Sequence, residues 1–259
     1  MLLANKTAIV YGAGDVGAAV ARAFAEEGAR ILIASRTLGR AEALAAGIRE
    51  TGGKAEAAAL DVLDAEATAR HAEKAAASGA IDITFHAIDL GDAQGAHVID
   101  TPLPKFLGPI NMAMRTHLSI ASAVVPHMAK RGLGVIMGIT ANVARLAIPN
   151  VAGFAIACAA TESLYRQFAA ELGPQGIRAV CVRSAGSPDT RGVNEVFNMR
   201  AKENGITREE FDTQVGAGIP LRRLPRVAEV ASAAVLLASD KASAVTGAVF
   251  NVTCGTLMD

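Results

Sequence analysis

The sequence predicts one doubly wound α/β domain: a parallel sheet with helices on both faces. Three observations carry this reading. Short apolar runs alternate with Ala-rich helical segments along almost the whole chain; a Gly-x-Gly-x-x-Gly turn follows the first apolar run; and no Pro/Gly/Ser linker or composition shift divides the 259 residues.

The strands read in order as Thr7–Tyr11, Arg30–Ala34, Ala55–Leu60, Ile81–Ala87, Gly134–Ile139, Ile177–Arg183 and Ala248–Val252. Most are apolar at successive positions rather than alternate ones, as expected of strands buried on both faces of a parallel sheet. Between them, Val16–Glu27, Gly39–Thr51, Ala65–Ser78, Pro104–Lys130, Gly153–Leu172 and Val227–Ser239 have helical spacing and length. The repeated β–α order implies right-handed crossovers. Two stretches break the rhythm. Asp89–Leu103 follows the fourth strand, and the charged segment Ser184–Leu224 follows the sixth. Ligands in open α/β sheets bind beyond the carboxyl ends of the strands, so both stretches flank the expected site, and 184–224 is assigned as a substrate loop or lid.

Composition narrows the function classes. Twenty-five Lys and Arg balance 25 Asp and Glu, which leaves no excess charge for a nucleic-acid backbone but still allows a local pocket for one phosphate. Apolar stretches such as Ala231–Ala238 are far shorter than the roughly 20 residues of a membrane span. No signal peptide precedes the run Lys6–Tyr11, and Cys158, Cys181 and Cys254 form neither a disulfide framework nor a metal motif. A cytoplasmic protein that acts on a small molecule is the expectation.

The glycine turn is Tyr11-Gly12-Ala13-Gly14-Asp15-Val16-Gly17. Gly12, Gly14 and Gly17 suit a tight turn, close approach of backbone to a pyrophosphate, and close packing of helix on strand. The helix that starts at the turn offers free N–H groups and a positive dipole end. The end of the second strand reads Ser35-Arg36-Thr37, where an NAD site usually presents a carboxylate to the ribose. A guanidinium with two hydroxyls suits a 2′-phosphate instead, so NADP(H) is favoured over NAD(H). Asp15 is the exception in this cradle, because its charge opposes a nearby phosphate.

These residues resemble those of the short-chain dehydrogenase/reductase family, NAD(P)-dependent enzymes with one Rossmann-type domain of about this length. The resemblance runs from Thr7-Ala8-Ile9-Val10 through Leu60-Asp61-Val62 and Ala169-Ala170-Glu171-Leu172-Gly173-Pro174 to Val245-Thr246-Gly247 and Asn251-Val252. It implies that Asp61 and Val62 contact the adenine. The family's Asn-Asn-Ala-Gly motif falls on His86-Ala87-Ile88-Asp89, and its Pro-Gly on Ser184-Ala185-Gly186 with an apparent insertion. Ala87, Ile88, Ser184 and Gly186 would then border the nicotinamide half. The glycine turn departs from the family form too, with Tyr11 for the usual Thr and one residue fewer.

By the same resemblance, catalysis would use an Asn, a Ser and a Tyr-xxx-Lys on one helix. Asn111 is matched to the family's Asn, but Ala141, Phe154 and Cys158 stand at the Ser, Tyr and Lys positions. Phe154 has no hydroxyl with which to transfer a proton, and Cys158 reads as a small buried thiol rather than a nucleophile. Thr140 could replace the Ser only if the strand end slipped by one residue, since neighbouring side chains on a strand face opposite ways. His86 can serve as acid or base, or simply replace the family's Asn as a hydrogen-bonding group. Asp89, Asn142, Arg145 and Ser184 are further polar candidates for the cleft.

The leading expectation is an NADP(H)-dependent oxidoreductase with altered proton transfer, acting on a carbonyl, imine or enone. The alternatives are a non-redox isomerase, dehydratase or cyclase on the same fold, and an inactive NADP(H)-binding sensor or scaffold. The resemblance also implies a homodimer or homotetramer in which Pro104–Lys130 and Gly153–Leu172 pack across an interface.

Overall fold

The computed structural model describes residues 1–91 and 95–258. Its seven strands are β1 (Thr7–Tyr11), β2 (Arg30–Ser35), β3 (Lys54–Ala59), β4 (Ile83–His86), β5 (Gly134–Ala141), β6 (Ile177–Ser184) and β7 (Val249–Val252). They form one all-parallel sheet in the order β3-β2-β1-β4-β5-β6-β7. The order reverses between β1 and β4, which creates a crevice at their carboxyl ends.

Among the described residues eight α-helices connect the strands: α1 (Asp15–Glu26), α2 (Leu38–Glu50), α3 (Ala65–Ala77), α4 (Leu103–Arg131), α5 (Ala152–Leu172), α6 (Arg191–Glu203), α7 (Arg208–Ala217) and α8 (Val227–Ala238). One core packs α1, α2 and α8 against the sheet through Val20, Phe24, Leu44, Val230 and Leu237. The other packs α3, α4 and α5 through Ala72, Ile120, Val124, Tyr165 and Phe168. Apolar residues on both strand faces are thereby removed from water, and all five residues of β1 are buried. β3, at one edge, instead alternates, with Lys54 and Glu56 exposed and Ala55 buried. Among the described residues no helix is long and apolar enough to cross a membrane.

Each strand and helix read from the sequence is present, with its ends within two residues. The segment 184–224 differs from a plain excursion because it contains α6 and α7. Thr207 starts α7 with a capping box: its hydroxyl accepts from the amide of Glu210, whose carboxylate accepts from the amide of Thr207. The Phe197 and Phe211 rings then join the two helices edge to face, with centroids 5.2 Å apart. Of the stretch 89–103, residues 92–94 lie outside the described residues.

Candidate functional site

The glycine turn crosses the crevice between β1 and β4. Gly12 has φ +107°, a left-handed conformation suited to glycine, and its amide donates to the Ala34 carbonyl (2.8 Å). A Cβ on Gly12 would strike the Ala87 carbonyl, and one on Gly17 would strike the Gly12 carbonyl. Those glycines therefore bring α1 hard against the ends of β1 and β4. Gly14 precedes α1 with open space around it and no side chain capping the helix. The first amides of α1 are thus directed at the crevice.

The residues assigned to the adenosine half end the neighbouring strands. Ser35 closes β2, and Arg36 beyond it is exposed with no hydrogen bond or ion pair to a described residue. Thr37 is exposed, and its amide donates to the Ser35 hydroxyl (3.3 Å). Beyond β3, the Asp61 carboxylate accepts from the amide of Leu63 (3.0 Å), and Val62 is buried. Ala87 and Ile88 continue β4 beside the turn, and the Ala87 amide donates to the Tyr11 carbonyl (2.8 Å). After β6, the Ser184 hydroxyl accepts from the amide of Gly186 (3.2 Å), which has φ +86°. Asp15 lies at the start of α1, and its carboxylate accepts from the amide of Arg191 at the start of α6 (2.6 Å). Val16 is half-buried behind it.

The proposed catalytic positions do not assemble into an acid–base set. Ala141 ends β5, while Phe154 and Cys158 lie one turn apart near the start of α5, Phe154 half-buried and Cys158 buried. Asn111 is exposed on α4, turned away from the buried face that carries Ala113, Thr116 and His117. Thr140 has not slipped into the Ala141 position; it is buried, and its hydroxyl donates to Glu162 on α5 (3.1 Å). Arg145 lines a different cleft, of about 510 Å³, with Glu162, Arg166 and Arg183; no residue of the glycine turn contributes to it.

His86 is buried at the end of β4 in a cluster that the sequence did not reveal. Its Nδ1 lies 3.0 Å from His117 Nδ1, and the Tyr165 hydroxyl is 3.0 Å from the first and 3.1 Å from the second. His86 Nε2 meets the Thr84 hydroxyl at 3.2 Å. Two facing Nδ1 atoms can share these bonds only as opposite tautomers, one carrying the proton and the other bare, with the phenol donating to the bare one. Burial lowers both imidazoles, His117 to about 4 and His86 well below its ordinary range, where the His117 charge adds to the effect. Burial also pushes the Tyr165 phenol well up. Gly138 makes the cluster possible: a Cβ there would lie 2.7 Å from the Tyr165 ring and hydroxyl. Burial thus favours the neutral form of all three side chains inside the core.

A second buried network was equally unforeseen. The Arg183 guanidinium grips Glu162 with two bonds (2.7 and 2.6 Å) and donates to the Asn251 side chain (2.7 Å). It joins α5 to β5, β6 and β7. Among the described residues there is no cluster of His, Cys, Asp or Glu that could hold a metal ion.

Sheet order, crossover pattern and glycine turn together define a doubly wound protein of the Rossmann type. A family model described as Enoyl-(Acyl carrier protein) reductase matches residues 12–256, and the chain belongs to the short-chain dehydrogenase/reductase family. An uncharacterized oxidoreductase of Bacillus subtilis is 31% identical over 247 residues, covering 95% of this chain and 88% of the relative. A gluconate 5-dehydrogenase from Burkholderia cenocepacia, solved with NADP and tartrate, superposes with a TM-score of 0.87 at 26% identity, covering 98% of this chain and 95% of that one. A 7α-hydroxysteroid dehydrogenase complexed with NADH and 7-oxo glycochenodeoxycholic acid superposes with a TM-score of 0.85 at 28% identity, covering 99% and 96%.

Proposed function

We propose that the chain is an NADP(H)-dependent oxidoreductase whose proton transfer differs from that of its family. The observation that carries this reading is the exposed Arg36 just beyond β2, which makes no ion pair with a described residue, beside a glycine cradle in which a Cβ at Gly12 or Gly17 would clash. The cradle fits a dinucleotide. The first amides of α1 would hold its diphosphate, Arg36 with Ser35 and Thr37 the 2′-phosphate, and Asp61 with Val62 the adenine. Ala87, Ile88, Ser184 and Gly186 would border the nicotinamide, which supplies or accepts a hydride when bound.

Phe154 offers a ring wall at the substrate and no proton. A positioned acid or base contributes roughly 10²–10⁴-fold, so an unactivated ketone would react slowly here. An iminium or conjugated enone asks less of the protein, which favours that substrate class. His86 has no exposed face from which to replace the missing phenol, and its partners are internal. The segment 184–224, with α6 and α7, is the candidate lid. Exposed Leu118 on α4 and Ile156 on α5 suit a homodimer or homotetramer through those helices, in a cytoplasmic setting.

Titration calorimetry with NADPH and NADH tests the cofactor assignment, with tighter NADPH binding expected. A panel of carbonyls, imines and enones then tests turnover. Failure to bind either dinucleotide would sink the proposal. A second reading, an inactive cofactor sensor, is favoured by the loss of hydroxyl and charge at Ala141, Phe154 and Cys158 together; tight NADPH binding with no turnover across the panel would select it.

A further inference from the structure

Asp15 joins the glycine turn to the segment that covers it. Its carboxylate accepts from the backbone amide of Arg191, 176 residues further along the chain, at 2.6 Å. Arg191 is the first residue of α6, and that helix has no cap of its own. The preceding Thr190 makes no side-chain capping bond, and its hydroxyl donates instead to the Ser187 carbonyl (2.7 Å). The Arg191 side chain turns away to Glu195 (3.3 Å). Asp15 therefore does for α6 what a local Ser, Thr or Asp usually does. The same connection continues at Asp189, whose carboxylate accepts from the amide of Val227 at the start of α8 (3.1 and 3.2 Å).

The location of this contact gives it a functional meaning. Asp15 is the residue after Gly14, in the open part of a cradle otherwise tightened by Gly12 and Gly17. A carboxylate at the start of α1 lies where a phosphate would also be drawn, and the two like charges repel each other. We propose that Asp15 is an internal competitor for the cradle: it clamps α6 onto the glycine turn, and a dinucleotide diphosphate must displace it. Asp15 thereby sets the affinity for the dinucleotide and couples its entry to the hold on α6. This inference rests on the dinucleotide-binding reading above.

The test uses the full chain with Asp15→Asn and Asp15→Ala. NADPH affinity is read from nicotinamide fluorescence, against a protein that contains no Trp. Asp15→Asn removes the charge while keeping an oxygen acceptor, and should bind NADPH about tenfold more tightly or better, as expected when one like charge is removed. Asp15→Ala also frees α6, so trypsin should cut between Arg191 and Arg208 faster than in the wild type, and in the wild type NADPH should speed the same cleavage. If the wild type binds NADPH and Asp15→Asn binds it equally or more weakly, the competition is overturned and the cofactor assignment stands. If neither binds, the cofactor assignment falls and takes the competition with it. Thermal melting of each variant separates these results from misfolding, and Asp15→Ala gives a second affinity measurement should Asp15→Asn fold poorly.

Discussion

His86 and His117 face each other Nδ1 to Nδ1 at 3.0 Å, inside the core, with the Tyr165 hydroxyl closing the triangle. Protonation of the bare Nδ1 would set two donors against each other across this contact, so the arrangement opposes it. Burial lowers both folded-state pKa values, His117 to about 4, whereas an unfolded histidine titrates near 6.5. The unfolded chain therefore binds more protons between these values. Stability is fully present above about pH 6.5 and is lost as the pH falls toward 4, with His117 alone contributing about 3 kcal/mol. Urea denaturation at steps from pH 7.5 to 4.5 checks this, and a flat midpoint through that range contradicts it. His117→Asn should weaken the dependence.

Gly138→Ala should destabilise the protein by about 1–3 kcal/mol, because the new methyl would meet the Tyr165 ring and hydroxyl at 2.7 Å. Both sit in a packed interior with no slack to absorb it. Thermal melting provides the measurement, and an unchanged midpoint would mean that Tyr165 repacks freely.

Arg183→Met should cost about 3–5 kcal/mol by leaving Glu162 buried without its partner. The double variant Glu162→Met/Arg183→Met removes both charges and should recover most of that loss. Chemical denaturation of both variants decides the matter; a double variant as unstable as the single would show that packing, not charge, holds α5 to β6.

Arg36→Asp should reverse the cofactor preference. Each charge-assisted bond to a 2′-phosphate contributes roughly 1.5–3 kcal/mol, so NADPH binding should weaken about tenfold to a hundredfold. NADH binding should hold or improve, since a carboxylate at this position suits ribose hydroxyls. Equal losses for both dinucleotides would place Arg36 outside the site.

The sequence made most of the fold legible because a buried parallel strand and an amphipathic helix each leave a periodic trace. α6 and α7 escaped because Ser184–Leu224 is dominated by charge; the Thr207/Glu210 capping box was the available signal. The glycine turn between β1 and α1 was readable because its chemistry is contained in a few consecutive residues, and Arg36, proposed as its neighbour in the site, stands out for the same reason. The His86–His117–Tyr165 cluster was not, since its members come from β4, α4 and α5 and meet only through packing. Asn111 and His117 lie on the same long helix, α4, but on different faces of it. His117 lies six residues on, about 240° around the axis, so the two face different surroundings.

The close contact of Gly12 and Gly17 with Ala87 and the Gly12 carbonyl leaves no room for even a methyl group. That packing leaves the turn few alternative shapes, so a ligand received there would cost little backbone entropy. The proposed cost of binding then falls on the other wall, where one carboxylate secures α6. Selection can then tune affinity through the ease of releasing that wall, with the turn itself unchanged.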